Sequence, residues 1–453
     1  YTVNVDKNKL NDSSGNNNSA SNTFTWTYDS TSPTMTISSS TVNSGETSND
    51  STISLTFTSS ESTTNFIASD ITISGGSLSS FSGSGTTYTA TLTPSGNATY
   101  TINVASGKFT DSVGNNNNVS NTFSWTYDST APTISGVTLA SDNTTMTVTF
   151  SEAVYNTNSG SGSLEVSDFV FALSGGTATL SSTTPSSISI NGNEYTLGIS
   201  LSGTPNGSET LTVNPVSSSI FDLAGNVAST SQSNNSISLN DKLAPTITGV
   251  TLASDNSSIP GTFNEPVYNT SSGSGSLEVS DFVFALSGGT ATLSSTTPSS
   301  ISINGNEYTL GISLSGTPNG SETLTVNPVS SSIFDLAGNV ASTSQSNNSI
   351  SLNDKLSPTM TISSSTVNSG ESSNDSTILL TFTSSESTTN FIKDDITISG
   401  GSLSSLSGSG TTYTATLTPS EDTTYTISVA QSKFTDSAGN DNSASNTFTW
   451  TYD

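Results

Sequence analysis

The sequence predicts an all-β chain, an elongated tandem array of two-sheet β-sandwiches. Three observations predict it. Apolar residues alternate with Thr and Ser over short runs, as at Ile53, Leu55 and Phe57, which is the two-residue period of a half-buried strand. Clusters of Gly, Ser, Asn and Pro break these runs at short intervals, and no stretch carries a helical period. Finally, 453 residues exceed a single ordinary domain, and the same short strings recur along them, which marks a repeat architecture.

The repeats set the boundaries. TFTWTYD at Thr23–Asp29 returns as TFSWTYD at Thr122–Asp128 and as TFTWTYD at Thr447–Asp453. Pro-Thr pairs follow at Pro33, Pro132, Pro245 and Pro358, spaced as a short, two long and a final short interval. The two long repeats are near-duplicates, since Ser159–Leu243 reads the same as Ser272–Leu356. The expected units are therefore residues 30–129 (short), 130–242 (long), 243–355 (long) and 356–453 (short). Residues 1–29 match the last part of a short unit, with Tyr1–Asp29 aligning on Tyr100–Asp128 and Tyr425–Asp453. Two strands do not bury a core alone, so the expectation is an excerpt from a longer array.

Each element follows from alternation. In the first short unit Tyr88, Ala90 and Leu92 share a face, as do Tyr100, Ile102 and Val104, and Phe123, Trp125 and Tyr127. In the first long unit the same holds for Met146, Val148 and Phe150, for Tyr195, Leu197, Ile199 and Leu201, and for Leu211 and Val213. About seven strands in roughly 100 residues fit a two-sheet sandwich. Trp26, Trp125 and Trp450 sit in the alternating last strand and are expected in cores. Thr is β-branched and suits a solvated strand face, so low charge does not mean disorder here. One strand breaks the pattern. The second long unit reads IPGTFNEPVY where the first reads MTVTFSEAVY, and Pro260 predicts an edge strand or a bulge.

Composition excludes several classes of function. Seven basic residues, all Lys, stand against 35 acids, for a net charge of −28, so a nucleic-acid partner is not expected. With no Cys and no His, disulfides, thiolate or imidazole metal sites and His-dependent triads are excluded. No apolar run approaches the length of a membrane span. The start at Tyr1 without a signal peptide fits a mature or internal segment. Asn-x-Ser/Thr sequons, among them Asn97, Asn143 and Asn256, are candidate glycan acceptors.

Several motifs carry a resemblance. These are FSEAVY at Phe150–Tyr155, FNEPVY at Phe263–Tyr268, FTDSVGN at Phe109–Asn115, FTDSAGN at Phe434–Asn440, and FDLAGN at Phe221–Asn226 and Phe334–Asn339. With the linkers YDSTAPT and NDKLAPT, the chain resembles the bacterial immunoglobulin-like repeat arrays of large surface adhesins and extracellular fibre proteins. The resemblance covers all four units. It implies immunoglobulin-like β-sandwiches in an exported chain, often stiffened by calcium.

In an immunoglobulin-like sandwich, the loop after the second strand and the loop before the last strand lie where the chain enters, and the preceding linker arrives at the same end. Three recurring acids should meet there: Asp29, Glu61 and Asp111; Asp128, Glu152 and Asp222; Asp241, Glu265 and Asp335; and Asp354, Glu386 and Asp436. Three carboxylates repel unless a cation joins them, and an oxygen-only ligand set favours Ca²⁺ over transition metals. A second reading stays open. Asp in D-x-x-G-N caps its own loop, and the linker Asp holds the amides that follow it. Asp70 and its equivalents read as turn residues.

The leading functional expectation is a structural repeat region of an extracellular fibre, stalk or filament on a cell or particle surface. The alternatives are an adhesin region that binds surface glycans, and a spacer of a larger secreted enzyme. Further copies of the same chain in a filament are candidate partners. No catalytic residue is expected, because an active site is not normally duplicated in every unit of an array.

Overall fold

The computed structural model describes residues 1–453, which divide into two compact halves, Tyr1–Asn240 and Asp241–Asp453. The chain is all-β apart from four single 3-10 turns. Its buried apolar residues form four separate clusters.

The leading residues contribute only β1 (Thr2–Val3) and β2 (Phe24–Thr25), paired antiparallel. The first short unit follows, with β3 (Met35–Ser39), β4 (Thr47–Ser48), β5 (Ile53–Thr63), β6 (Ile71–Ile73), β7 (Ser77–Thr93), β8 (Ala98–Val104) and β9 (Phe123–Tyr127). One sheet runs β3-β5-β7 and the other β4-β9-β8-β6. The alternating residues face each other across the sandwich, with Leu55, Phe57, Leu92, Ile102 and Trp125 all buried. The Trp125 indole N–H donates to Ser48 Oγ at 3.0 Å, which satisfies the one polar atom of the ring. The last short unit repeats this arrangement around Trp450.

The first long unit builds a four-stranded sheet from β10 (Ile134–Leu139), β11 (Thr145–Phe150), β14 (Ile188–Asn191) and β15 (Glu194–Gly198), in the order β10-β11-β15-β14. Facing it are β12 (Phe169–Ser174), β17 (Thr210–Pro215) and β18 (Ser236–Ser238). A side pair is formed by β13 (Thr179–Leu180) and β16 (Leu201–Ser202). The second long unit has the same order of strands.

Three expectations need correction. Trp26 is 55% exposed and stacks on Tyr1 at 5.6 Å, because residues 1–29 contain no second sheet to cover it. The strand holding Pro260 (Ser258–Phe263) is not an edge strand, since it pairs with Ile247–Val250 on one side and Glu307–Gly311 on the other. The missing N–H instead shortens the neighbour. In the first long unit the ladder runs on through Thr138↔Thr147 and Leu139↔Met146, but its counterpart stops at Val250↔Gly261. Beyond that point the Thr251 N–H still donates to the Pro260 carbonyl at 2.8 Å and the Ala253 N–H to the Ser258 carbonyl at 2.9 Å, but Pro260 returns no bond to Thr251. Third, Asn143 and Asn256 are buried, and their amides donate to the carbonyls of Asn240 and Asn353, which closes both sequons to a glycan in the folded chain.

Candidate metal centre

The D-x-x-G-N loop is built by its own aspartate. Asp111 Oδ1 accepts the N–H groups of Val113, Gly114 and Asn115 at 3.0, 2.7 and 2.9 Å, and Oδ2 accepts the Asn115 side-chain amide at 2.8 Å. Gly114 takes a φ of +104°, which a side chain would resist. Asp222, Asp335 and Asp436 hold their loops through the equivalent Asn. Asp12 does the same in residues 1–29, with Ser14 and Asn16 N–H each at 2.9 Å. The loop therefore closes without any further carboxylate.

The linker aspartates also have local work. Asp29 Oδ1 accepts Thr31 N–H and Asp128 Oδ1 accepts Thr130 N–H, each at 2.9 Å, and Asp241 and Asp354 hold Leu243 and Leu356 in the same way. Asp70 accepts the Ile67 N–H at 2.9 Å and closes a 3-10 turn.

These turns bring carboxylates together in four places. In Asp29–Glu61–Asp111, Asp128–Glu152–Asp222, Asp241–Glu265–Asp335 and Asp354–Glu386–Asp436, one oxygen from each acid lies within 4.8 Å of the others. The loop aspartate is the buried member each time, while the linker Asp and the Glu are half-buried.

The glutamate is the member that turn geometry leaves without a role. Burial pushes the Glu61 carboxyl up, and the charges of Asp29 and Asp111 push it further in the same direction. Burial and then Asp222 and Asp128 do the same to Glu152. Glu265 is likewise raised, by burial, Asp241 and Asp335, against a hydrogen bond from Asn264. Burial, Asp354 and Asp436 push Glu386 up to about 6. Asp111 and Asp436 go the other way. Burial acts upward on both, but hydrogen bonds led by the side chains of Asn115 and Asn440 hold them below the ordinary aspartate value.

Residues 29–127 and 354–452 match the family described as Bacterial Ig-like domain. These two segments are bacterial Ig-like domains. No curated protein sequence matches it at a significant level. Among solved structures, it is similar to the Escherichia coli adhesin FdeC at 14% identity and a TM-score of 0.31, over 72% of this chain and 97% of that one. It is similar to invasin, a bacterial integrin-binding protein, at 13% identity and a TM-score of 0.29, over 93% of this chain and 79% of that one. InvD of Yersinia pseudotuberculosis gives 14% identity and a TM-score of 0.28, over 72% and 98%.

Asparagines absent from the expected site complete the geometry of these carboxylate clusters. Asn226 Nδ2 donates both to Asp222 Oδ2 at 2.8 Å and to the backbone carbonyl of Asp128 at 3.0 Å, so one amide ties the loop to the incoming linker. Asn115 joins Asp111 to the Asp29 carbonyl, the latter at 3.3 Å. Asn97, a candidate sequon, donates to Asp128 Oδ1 at 2.6 Å and accepts the Ser129 N–H at 3.0 Å. Asn49 N–H reaches the Ala224 carbonyl at 3.1 Å, and its side chain reaches Asn226. The final Asn of each D-x-x-G-N motif was visible in the repeats. Asn97 and Asn49 carried no such signal.

Proposed function

We propose that this chain is the structural repeat region of an extracellular fibre, stalk or filament, in which Ca²⁺ at the unit junctions sets stiffness. The observation that supports it is repetition. The same three-carboxylate cluster recurs at four linker entries, whereas a specific binding surface would more naturally be confined to one unit.

The donor set fits the ion. All three side chains offer hard oxygens, which Ca²⁺ takes in sets of six to eight together with carbonyls and water. The raised glutamates fit as well, because each is a carboxyl held between two negative neighbours with its repulsion uncompensated. Asp29, Glu61 and Asp111 would hold one ion, and the corresponding triplets the others. The ion would supply positive charge that cancels this repulsion. The protein's own residues do the positioning: Asn115 and Asn226 hold the linker carbonyl against the loop, and short Pro-containing linkers restrict the approach.

The units read as residues 30–129, 130–242, 243–355 and 356–453, placed outside the cell or on a particle surface. No helix is long and apolar enough to cross a membrane. Small-angle scattering and calorimetry on the full chain test the proposal. Calcium uptake together with a larger maximum dimension in calcium than in chelator supports it. No uptake and an unchanged dimension would reduce the carboxylates to turn residues. A glycan-array signal from the chain would favour the adhesin reading instead.

A further inference from the structure

The last short unit differs from the first at one corner of its core. In the first, Phe66 gathers a group of rings, with centroids 5.1 Å from Tyr88, 5.3 Å from Phe109 and 5.6 Å from Phe81. Phe81 also lies flat on Tyr88, at 5.8 Å and 15° between planes. In the last short unit the surrounding rings are retained. Phe391 meets Tyr413 at 5.2 Å and 77°, and Phe434 at 5.2 Å and 65°. The residue in the place of Phe81, however, is Leu406.

Two further features mark this corner. First, a cavity of about 620 Å³ lies there, bounded by Phe391, Tyr413, Leu406, Ile392 and Lys393, a volume within the range of small-molecule sites. The chain also leaves the sheet beside it. Strand β7 of the first short unit is continuous over Ser77–Thr93, but its counterpart is split into Ser402–Leu403 and Ser407–Thr418. Second, Lys393 replaces Ala68. Its ammonium donates to the Leu403 carbonyl at 2.7 Å, which fixes it at the cavity and leaves two further N–H donors. Asp394 and Asp395 follow Lys393 on the same turn, but Lys393 is the one charged side chain among those that line the cavity.

We propose that this cavity is a binding site for a small aromatic carboxylate. The ring takes the position that Phe81 holds in the first short unit, flat against Tyr413 and edge-on to Phe391. The carboxylate pairs with Lys393. The first short unit offers no second such site, because its own Phe81 ring already lies on Tyr88 and Ala68 carries no charge.

Calorimetric titration of the full chain with 3-phenylpropionate, and with 3-phenylpropanol as its uncharged counterpart, tests this. The expected result is one site per chain for the acid. Leu406→Phe should abolish it, with a melting temperature equal to or above that of the parent, since the first short unit shows that the corner accommodates a ring. Lys393→Ala should weaken the acid about fivefold, as for a solvent-exposed ion pair, and leave the alcohol unchanged. Phe81→Leu should open a second site that takes acid and alcohol equally. No heat from either probe at millimolar concentration would overturn the proposal. So would acid binding that survives in a folded Leu406→Phe chain, or a Lys393→Ala effect of equal size on both probes.

Discussion

The Tyr308 hydroxyl fills the space that a β-carbon on Gly261 would occupy, and it is buried there without a hydrogen-bond partner. In the first long unit the position of Gly261 is held by Val148, which is fully buried, and the equivalent Tyr195 hydroxyl donates to the Val154 carbonyl at 3.3 Å. Removing the valine side chain leaves a gap. The tyrosine leans into it and restores packing, at the loss of its hydrogen bond. Burial also pushes the Tyr308 phenol far above its ordinary value.

The two tyrosines should therefore respond oppositely to the same change. Tyr308→Phe removes a buried unpaired hydroxyl and should stabilise the second long unit by about 1 kcal/mol, while Tyr195→Phe should cost the first about 1 kcal/mol. Calorimetric scans of the full chain read this as shifts of opposite sign. Equal losses in both variants would show that Tyr308 has a partner after all.

Glu209 and Glu322 are fully buried carboxylates that serve structure. Glu209 Oε1 accepts the N–H groups of Thr177 and Ala178 at 2.7 and 2.9 Å, and Oε2 accepts that of Asn206 at 3.1 Å. Burial pushes this carboxyl up, but those backbone donors outweigh it and hold it below the ordinary glutamate value. A lowered value means that the contribution to stability is present above pH 4.5 and is lost as pH falls through the folded value. Glu209→Gln should destabilise the first long unit by roughly 1.5–3 kcal/mol at neutral pH and flatten its acid limb. An unchanged acid limb would contradict this role.

Asn226 bridges Asp222 to the Asp128 carbonyl with one amide. Asn226→Ala removes both bonds, so the junction between the first short and first long units should loosen even without metal, at a cost of about 1 kcal/mol per bond. Amide hydrogen exchange along Asp128–Pro132 should quicken in the variant, while protection of the core strands at Met146 and Trp125 stays as it was. Quickening throughout both cores would mean that the loop supports the whole unit.

The strands were legible because period-two alternation in a Thr-rich chain has one reading, and the residues that share a face, such as Ile53, Leu55 and Phe57, are buried together. The meeting of the three acids was legible from topology, since the position of a loop at one end of a sandwich follows from strand order alone. The site's asparagines were less so. Asn97 looks like any other polar turn residue until β8 and β9 bring it beside Asp128. Pro260 in an interior strand could not be foreseen, because whether a missing N–H matters depends on how far the neighbouring strand runs. Trp26 shows the same limit, since its exposure depends on which strands face it rather than on its own segment.

The junction glutamates predict a pH response whose sign depends on calcium. Without metal, Glu386 sits at about 6 against an ordinary 4.5, so the folded chain binds more protons than the unfolded one between those values. Stability of the last short unit should then fall as pH rises from 4.5 through 6, with no such cost below 4.5. Glu61, Glu152 and Glu265 are raised in the same direction. Glu209 and Glu322 lose their contribution only below 4.5, so the two windows do not overlap and the metal-free chain should be most stable near their boundary. Calcium reverses the upper limb, because the ion competes with the proton on each glutamate. Apparent calcium affinity should fall between pH 7.5 and pH 5, with proton release on binding near pH 6. Titration in two buffers of different ionisation enthalpy measures that release directly. Glu386→Gln should flatten the metal-free limb of the last short unit and abolish its share of the proton release. An affinity that is the same at pH 5 and 7.5 would mean that the ion, if taken up, is held by groups other than these glutamates.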